Sequence, residues 1–127
     1  MEKKIVTVVV KHNINFNPIG GATVHWSEHI EKPEHEKHLD PEYCKQKTSV
    51  TNQDGIAKLE INIGNYVKDS FNLKFKYLNL VWIRINKVEC SGFKDSIVNK
   101  VFPPAGEKYN GVEGGNYHEY VVHLASE

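Results

Sequence analysis

The chain is poor in arginine, and its charges cancel. Among 16 basic residues, Arg84 is the only arginine. A phosphate or carboxylate site built on bidentate guanidinium clamps therefore has one candidate at most. The 16 acidic residues balance the 16 basic ones, so we expect no general attraction to nucleic acid or to an acidic membrane surface.

The chain also lacks long apolar runs. The longest spans Ile5 to Val10, which is far short of the ~20 residues that cross a bilayer. We therefore expect no transmembrane segment. The charged start, Met1 to Lys4, is not followed by an apolar segment of the signal-peptide type. Two locations stay open: the cytosol, or an extracytoplasmic (secreted or periplasmic) compartment reached with a signal that has since been removed.

Cysteine is scarce, with Cys44 and Cys90 as the two thiols. In an oxidising compartment they could form a disulfide that closes a loop of about 45 residues, worth roughly 3–4 kcal/mol. The alternative is two unpaired, partly buried thiols, and spacing alone does not decide between them. No nucleophile motif, Gly-rich phosphate loop or Cys-x-x-Cys pair is present, so the sequence indicates no catalytic residue and no cofactor.

What the chain has in quantity is alternation. In the stretch from Thr51 to Ile61, the turn formers Asn52, Asp54 and Gly55 lead into apolar and polar residues with a period of two. That period is typical of a strand with one face in water. Similar patterns predict further strands at 5–11, 22–30, 44–51, 71–77, 81–90 and 117–124. Segment 93–102 is ambiguous, and segments 31–43 and 103–116 are predicted as long loops.

The length of 127 residues suits one domain, residues 1–127, and 39% hydrophobic residues suit a folded core. Seven or eight short strands without helical periodicity predict an all-β fold, an antiparallel β-sandwich of about seven strands, transthyretin-like or immunoglobulin-like. The oligomeric state is not indicated.

Two motifs resemble a known family. They are Pro18-Ile19-Gly20-Gly21-Ala22-Thr23-Val24 and the stretch from Thr51 to Leu59, with Gly92-Phe93 as a later element. Together they look like the carboxypeptidase-regulatory-like and transthyretin-like (prealbumin-like) β-sandwich families. The resemblance implies a seven-stranded sandwich and a secreted or surface protein that binds proteins or glycans, which favours an extracytoplasmic location. The C-terminal Tyr-Arg-Gly-Ser motif of the hydroxyisourate hydrolases, an enzyme branch of this fold, is absent.

A candidate ligand-binding face follows from strand 81–85. If Val81, Ile83 and Ile85 face the core, Trp82 and Arg84 face outward. An outward Trp beside a loop rich in Tyr and Gly is typical of protein- or glycan-binding surfaces. The candidate ligand-binding residues are Trp82, Arg84, Tyr109 and Tyr117. If this face has no binding role, the 103–116 loop simply covers Trp82.

The histidines support an alternative, a small hydrolase or metal-binding protein. Arg84 with His12, His118 or His123 could form a polar site, although outward-facing strand residues explain the same pattern. His35 and His38, three residues apart, are weak candidates for metal ligands, provided that their loop forms a helical turn. Surface histidines in a solvated loop are the simpler interpretation, and we expect no bound metal.

Overall fold

The computed structural model describes residues 3–30, 43–62, 81–104 and 108–127, and these form nine β-strands. The strands are β1 Lys3–His12, β2 Thr23–Ile30, β3 Tyr43–Val50, β4 Ile56–Asn62, β5 Val81–Glu89, β6 Ser96–Phe102, β7 Lys108–Tyr109, β8 Val112–Glu113 and β9 Tyr117–Leu124. Within these ranges, no helix has the length and apolar character needed to cross a membrane.

Seven of the strands form two sheets. One has the order β4-β1-β9 and the other the order β3-β2-β5-β6, while β7 and β8 pair as a separate small hairpin. Apolar side chains from both sheets belong to one buried cluster, which includes Val6, Leu59, Val24, Ile83 and Val122. The predicted all-β sandwich is confirmed.

Apolar and polar side chains alternate along the strands, and this alternation places the apolar ones in the core. Val81, Ile83 and Ile85 are fully buried, whereas Arg84 between them is exposed. Burial of such β-branched side chains is worth about 1.5–3 kcal/mol each, so the face that they choose is strongly specified. Trp82 and Arg84 therefore lie on the outer face of the four-stranded sheet, as the sequence predicts.

The turn Asn52–Gly55 leads into β4 and lies close to β1. The Asn52 side-chain oxygen accepts hydrogen bonds from the backbone N–H groups of Asp54 (2.9 Å) and Ile56 (3.1 Å). Gly55 has φ of 75°, and a Cβ added there would lie 2.5 Å from the Val10 carbonyl oxygen. The turn thus requires glycine both for its backbone conformation and for its close approach to β1.

The final strand departs from the antiparallel arrangement that the sequence predicts. β9 lies parallel to β1, in register from Ile5 opposite Tyr117 to His12 opposite Leu124. The other strand pairs of both sheets are antiparallel. This parallel pair brings the two ends of the described chain into one sheet.

Two segments that the sequence predicts as ambiguous or as loop contain strands. The ambiguous segment 93–102 contains β6, and the predicted loop 103–116 contains the β7–β8 hairpin instead of irregular structure throughout. Its turn residues Asn110 and Gly111 have φ of 48° and 81°, which is the conformation that Asn-Gly favours in a two-residue hairpin.

The predicted strand 71–77 and nearly all of the loop 31–43 lie outside the described residues. Cys44 and Cys90 are free.

Candidate functional site

A pocket of about 280 Å³ lies on the outer face of the four-stranded sheet, between β5, β6 and the β7–β8 hairpin. Trp82 and Tyr109 contribute aromatic surface to its lining. The remaining apolar lining comes from Val101, Pro103 and Pro104, and the polar lining from Arg84, Asn99, Lys108 and Asn110. Aromatic walls with a few polar groups are the usual composition of a ligand site.

Trp82 is held in place by a neighbouring strand. Its indole ring stacks on the imidazole of His29, with ring centroids 3.7 Å apart and planes 9° apart. The indole Nε1 is buried and has no hydrogen-bond partner in the described part of the chain. A buried donor without a partner costs about 1–3 kcal/mol, so the indole ring keeps this position at some expense of stability.

The charge of the pocket is positive. Arg84 is exposed, and its Nη2 donates a long hydrogen bond of 3.5 Å to the Asn99 side-chain oxygen. No carboxylate occurs among the described lining residues, and neither Arg84 nor Lys108 forms an ion pair with a described residue. Asn99 has φ of 48°, close to the irregularity in the β5–β6 register between Ile85 and Lys87.

The structure brings together three of the four residues predicted to bind ligand. Trp82, Arg84 and Tyr109 line one pocket. Tyr117 does not join them, because the parallel pairing of β9 with β1 places it in the other sheet, where it is 78% exposed.

The histidines are not assembled around Arg84. His12 bonds the Ser126 hydroxyl (2.9 Å), His123 lies edge-on to Phe16, and His118 contacts the Gly115 carbonyl. These three residues belong to β1 and β9, in the sheet that does not contain Arg84. The polar site proposed from Arg84 with one of these histidines is therefore not formed.

Another histidine, His25, contacts a carboxylate. His25 Nε2 lies 2.5 Å from Glu89 Oε1. This hydrogen bond, followed by the charge of Lys87, lowers the pKa of the Glu89 carboxyl. No cluster of three His, Cys, Asp or Glu suited to a metal occurs in residues 3–30, 43–62, 81–104 and 108–127. His35 and His38 lie outside the described residues.

Several lining residues were not identified from the sequence. Asn99 lies within the ambiguous segment 93–102, and Pro103 and Pro104 are predicted as loop residues. The one signal that could have indicated Lys108 and Asn110 is the Asn110-Gly111 pair, since this dipeptide favours a hairpin next to Tyr109.

Comparisons with known proteins identify no family. No protein-family model and no curated protein matches the chain. Among solved structures, the Bacillus anthracis TIE protein matches 98% of this chain and 18% of its own, with 11% identity and a TM-score of 0.47. Hydroxyquinol 1,2-dioxygenase from Pseudomonas putida DLL-E4 matches with 12% identity and a TM-score of 0.47, covering 99% of this chain and 57% of its own.

Chlorocatechol 1,2-dioxygenase from Pseudomonas putida matches with 14% identity and a TM-score of 0.47, covering 99% of this chain and 60% of its own. The chain thus spans less than two thirds of each of these three proteins. Similarities at this level carry no argument about function, so the proposals below depend on the geometry of the chain itself.

Proposed function

We propose that this chain is a non-catalytic binding module on a transthyretin-like β-sandwich, and that it captures a protein or glycan ligand in the Trp82 pocket. The observation that carries the proposal is the convergence of Trp82, Arg84 and Tyr109 on one pocket. Two of these residues lie on a rigid strand and the third on a hairpin, an arrangement that fixes the aromatic surfaces in advance of binding.

The lining indicates the chemistry of the ligand. Aromatic rings offer flat apolar surface, and the cations Arg84 and Lys108, which pair with no described carboxylate, favour a carboxylate or another anion. The pocket volume of about 280 Å³ is just below the ~300–1,000 Å³ typical of drug-sized ligands. We therefore infer a small terminal group, such as an acidic sugar ring or a carboxylate-bearing side chain of a peptide.

The alternative of a small hydrolase has one observation in its favour. Ser27 Oγ lies 2.8 Å from His29 Nε2, within the reach that a nucleophile and its base require. Ser27 is only 1% exposed, however, and the imidazole of His29 stacks on Trp82. A substrate carbonyl has no path to this hydroxyl, so the binding module is the better-supported function.

The test is titration of the protein with uronic-acid oligosaccharides and with carboxylate-terminated peptides, followed by NMR chemical shifts or calorimetry. We expect Tyr109→Ala and Arg84→Gln to weaken binding by at least about tenfold, because each removes a contact in the pocket. Tyr117→Ala is the matched control, since it removes an exposed tyrosine from the other sheet and should leave affinity unchanged. Equal affinity in all four proteins, or shifts clustered around Tyr117, would contradict the proposal.

A further inference from the structure

Lys4 is a lysine inside the sandwich. Its side chain is 1% exposed, although lysine is almost never fully buried without a partner of opposite charge. Its Nζ donates hydrogen bonds to the Pro103 carbonyl (2.9 Å) and to the Gly115 carbonyl. No carboxylate pairs with it in the described part of the chain.

Burial lowers the pKa of the Lys4 amine to about 8. About a tenth of the molecules then carry a neutral Lys4 at pH 7, whereas a lysine with an ordinary pKa is neutral in fewer than ~0.1%. A neutral amine has two N–H donors and one lone pair, and two carbonyls occupy the donors. The lone pair remains free, which makes Lys4 a nucleophile.

The parallel β1–β9 pair brings Asn116 next to Lys4 in the sheet. Lys4 and Asn116 immediately precede Ile5 and Tyr117, which face each other across the parallel β1–β9 pair. The Ile5 N–H donates to the Asn116 backbone carbonyl at 2.7 Å. The Asn116 side-chain oxygen is buried and has no hydrogen-bond partner among the described residues. A buried acceptor without a partner is costly to keep, and here it belongs to the residue next to Lys4 across the strand pair.

His118 contacts the same carbonyl as Lys4. Its Nε2 lies 3.3 Å from the Gly115 oxygen that accepts from Lys4 Nζ. Burial, and then the charge of Lys4, lowers the pKa of His118, so its imidazole is largely neutral at pH 7. Because a carbonyl oxygen only accepts, the His118 Nε2–H donates here, and it helps to hold the carbonyl that positions the Lys4 amine.

We propose that Lys4 Nζ forms an intramolecular isopeptide bond with Cγ of Asn116. The lone pair of the amine attacks Cγ, the new C–N bond forms, and the bond from Cγ to the side-chain nitrogen breaks. The proton that the Lys4 nitrogen loses is transferred to the departing nitrogen, which leaves as ammonia. The step needs neither an oxidant nor a co-reactant, and it is independent of the Trp82 pocket.

The bond would join the first and last strands of the sandwich. β1 and β9 are neighbours in one sheet but lie at opposite ends of the described chain. A cross-link between them closes a loop of more than about 100 residues, the kind of closure that most restricts the unfolded chain. It would also prevent the two strands from separating under a pulling force.

Intact-mass spectrometry of the denatured wild-type protein tests the proposal directly. We expect a mass about 17 Da below that of the sequence, the loss of one ammonia, and a proteolytic peptide that joins the Lys4 and Asn116 segments. Lys4→Met and Asn116→Ala should restore the full mass of their sequences, whereas the neighbouring exposed Lys3→Met should keep the loss. Asn116→Asp should lose water, about 18 Da, by the same attack.

The wild-type measurement stands even if a variant fails to fold. A wild-type protein that keeps its full mass and yields separate Lys4 and Asn116 peptides after prolonged incubation at pH 9 would overturn the proposal. His118→Phe removes one of the two donors to the Gly115 carbonyl that positions the amine: we expect the mass loss to appear at least about tenfold more slowly, with an unchanged circular-dichroism spectrum. A mass loss that maps to any other lysine would also overturn it.

Discussion

The imidazole of His29 lies flat on the indole of Trp82, with ring centroids 3.7 Å apart. The two residues face each other across the antiparallel β2–β5 pair, so the register of the sheet brings the rings together. The stack covers part of the indole, while Trp82 also lines the pocket. Trp82 is thus half-buried on the outer face, neither a core residue between the sheets nor a freely exposed ring.

This position predicts a moderate loss of stability for Trp82→Ala. We expect a decrease of about 1–2 kcal/mol in the free energy of unfolding, because an aromatic pair and part of the buried surface are lost while the core stays intact. Urea unfolding measures it, with Trp82→Phe as a control that keeps a stacking ring. A loss above about 4 kcal/mol is typical of a core deletion and would mean that the ring serves the fold and not a ligand.

The faces of the strands could be predicted because a period of two leaves little choice. In β5, Val81, Ile83 and Ile85 can be buried together only if Trp82 and Arg84 face the other way. The turn before β4 could also be predicted, since Asn52 and Gly55 are residue types with specific turn preferences. Both signals depend only on residues close together in the sequence, and such local signals were sufficient to predict the β-sandwich.

The long-range features could not be predicted in the same way. Nothing in the strand 117–124 shows that it will pair with β1, and that pairing separates Tyr117 from the pocket. The burial of Lys4 could not be predicted for the same reason. A lysine at the start of a strand is expected to be solvated, and only the structure shows that the Pro103 and Gly115 carbonyls accept its hydrogen bonds. Pairings between distant segments depend on the whole core and leave no periodic trace in either segment.

Two glycines with the same backbone conformation predict different costs. Gly55 and Gly111 have φ of 75° and 81°, so alanine is strained at either position. At Gly55 the new Cβ would also lie 2.5 Å from the Val10 carbonyl oxygen, whereas at Gly111 it meets nothing within 4 Å.

We therefore expect Gly111→Ala to cost about 1 kcal/mol and Gly55→Ala at least about 1–2 kcal/mol more, because β1 must shift to relieve the contact. Gly55→Val should be at least as costly as Gly55→Ala. The midpoints and slopes of urea unfolding curves give both values. Equal losses for the two alanine variants would show that only the backbone conformation matters and that the approach of the turn to β1 is not tight.

The burial of Lys4 predicts that stability rises at alkaline pH whenever its amine is free. The Asn116→Ala variant keeps that amine, since it lacks the proposed partner. The pKa of Lys4 is about 8 in the folded protein and 10.5 in an ordinary setting. Between these values the unfolded chain binds the proton more strongly than the folded protein does. The free energy of unfolding should therefore increase with pH across this window.

The increase is on the order of 2–3 kcal/mol, and it has the opposite sign to that of a lysine stabilised by an ion pair. His118, the other titratable group at the Gly115 carbonyl, contributes little in this window, because its pKa is lowered from 6.5. Urea unfolding at several pH values between 7.5 and 10.5 measures the rise, with the double variant Lys4→Met/Asn116→Ala as the reference that cancels the exposed lysines. Parallel curves for the two proteins would mean that Lys4 keeps its charge inside the sandwich, and that result would also remove the neutral nucleophile on which the proposed isopeptide bond depends.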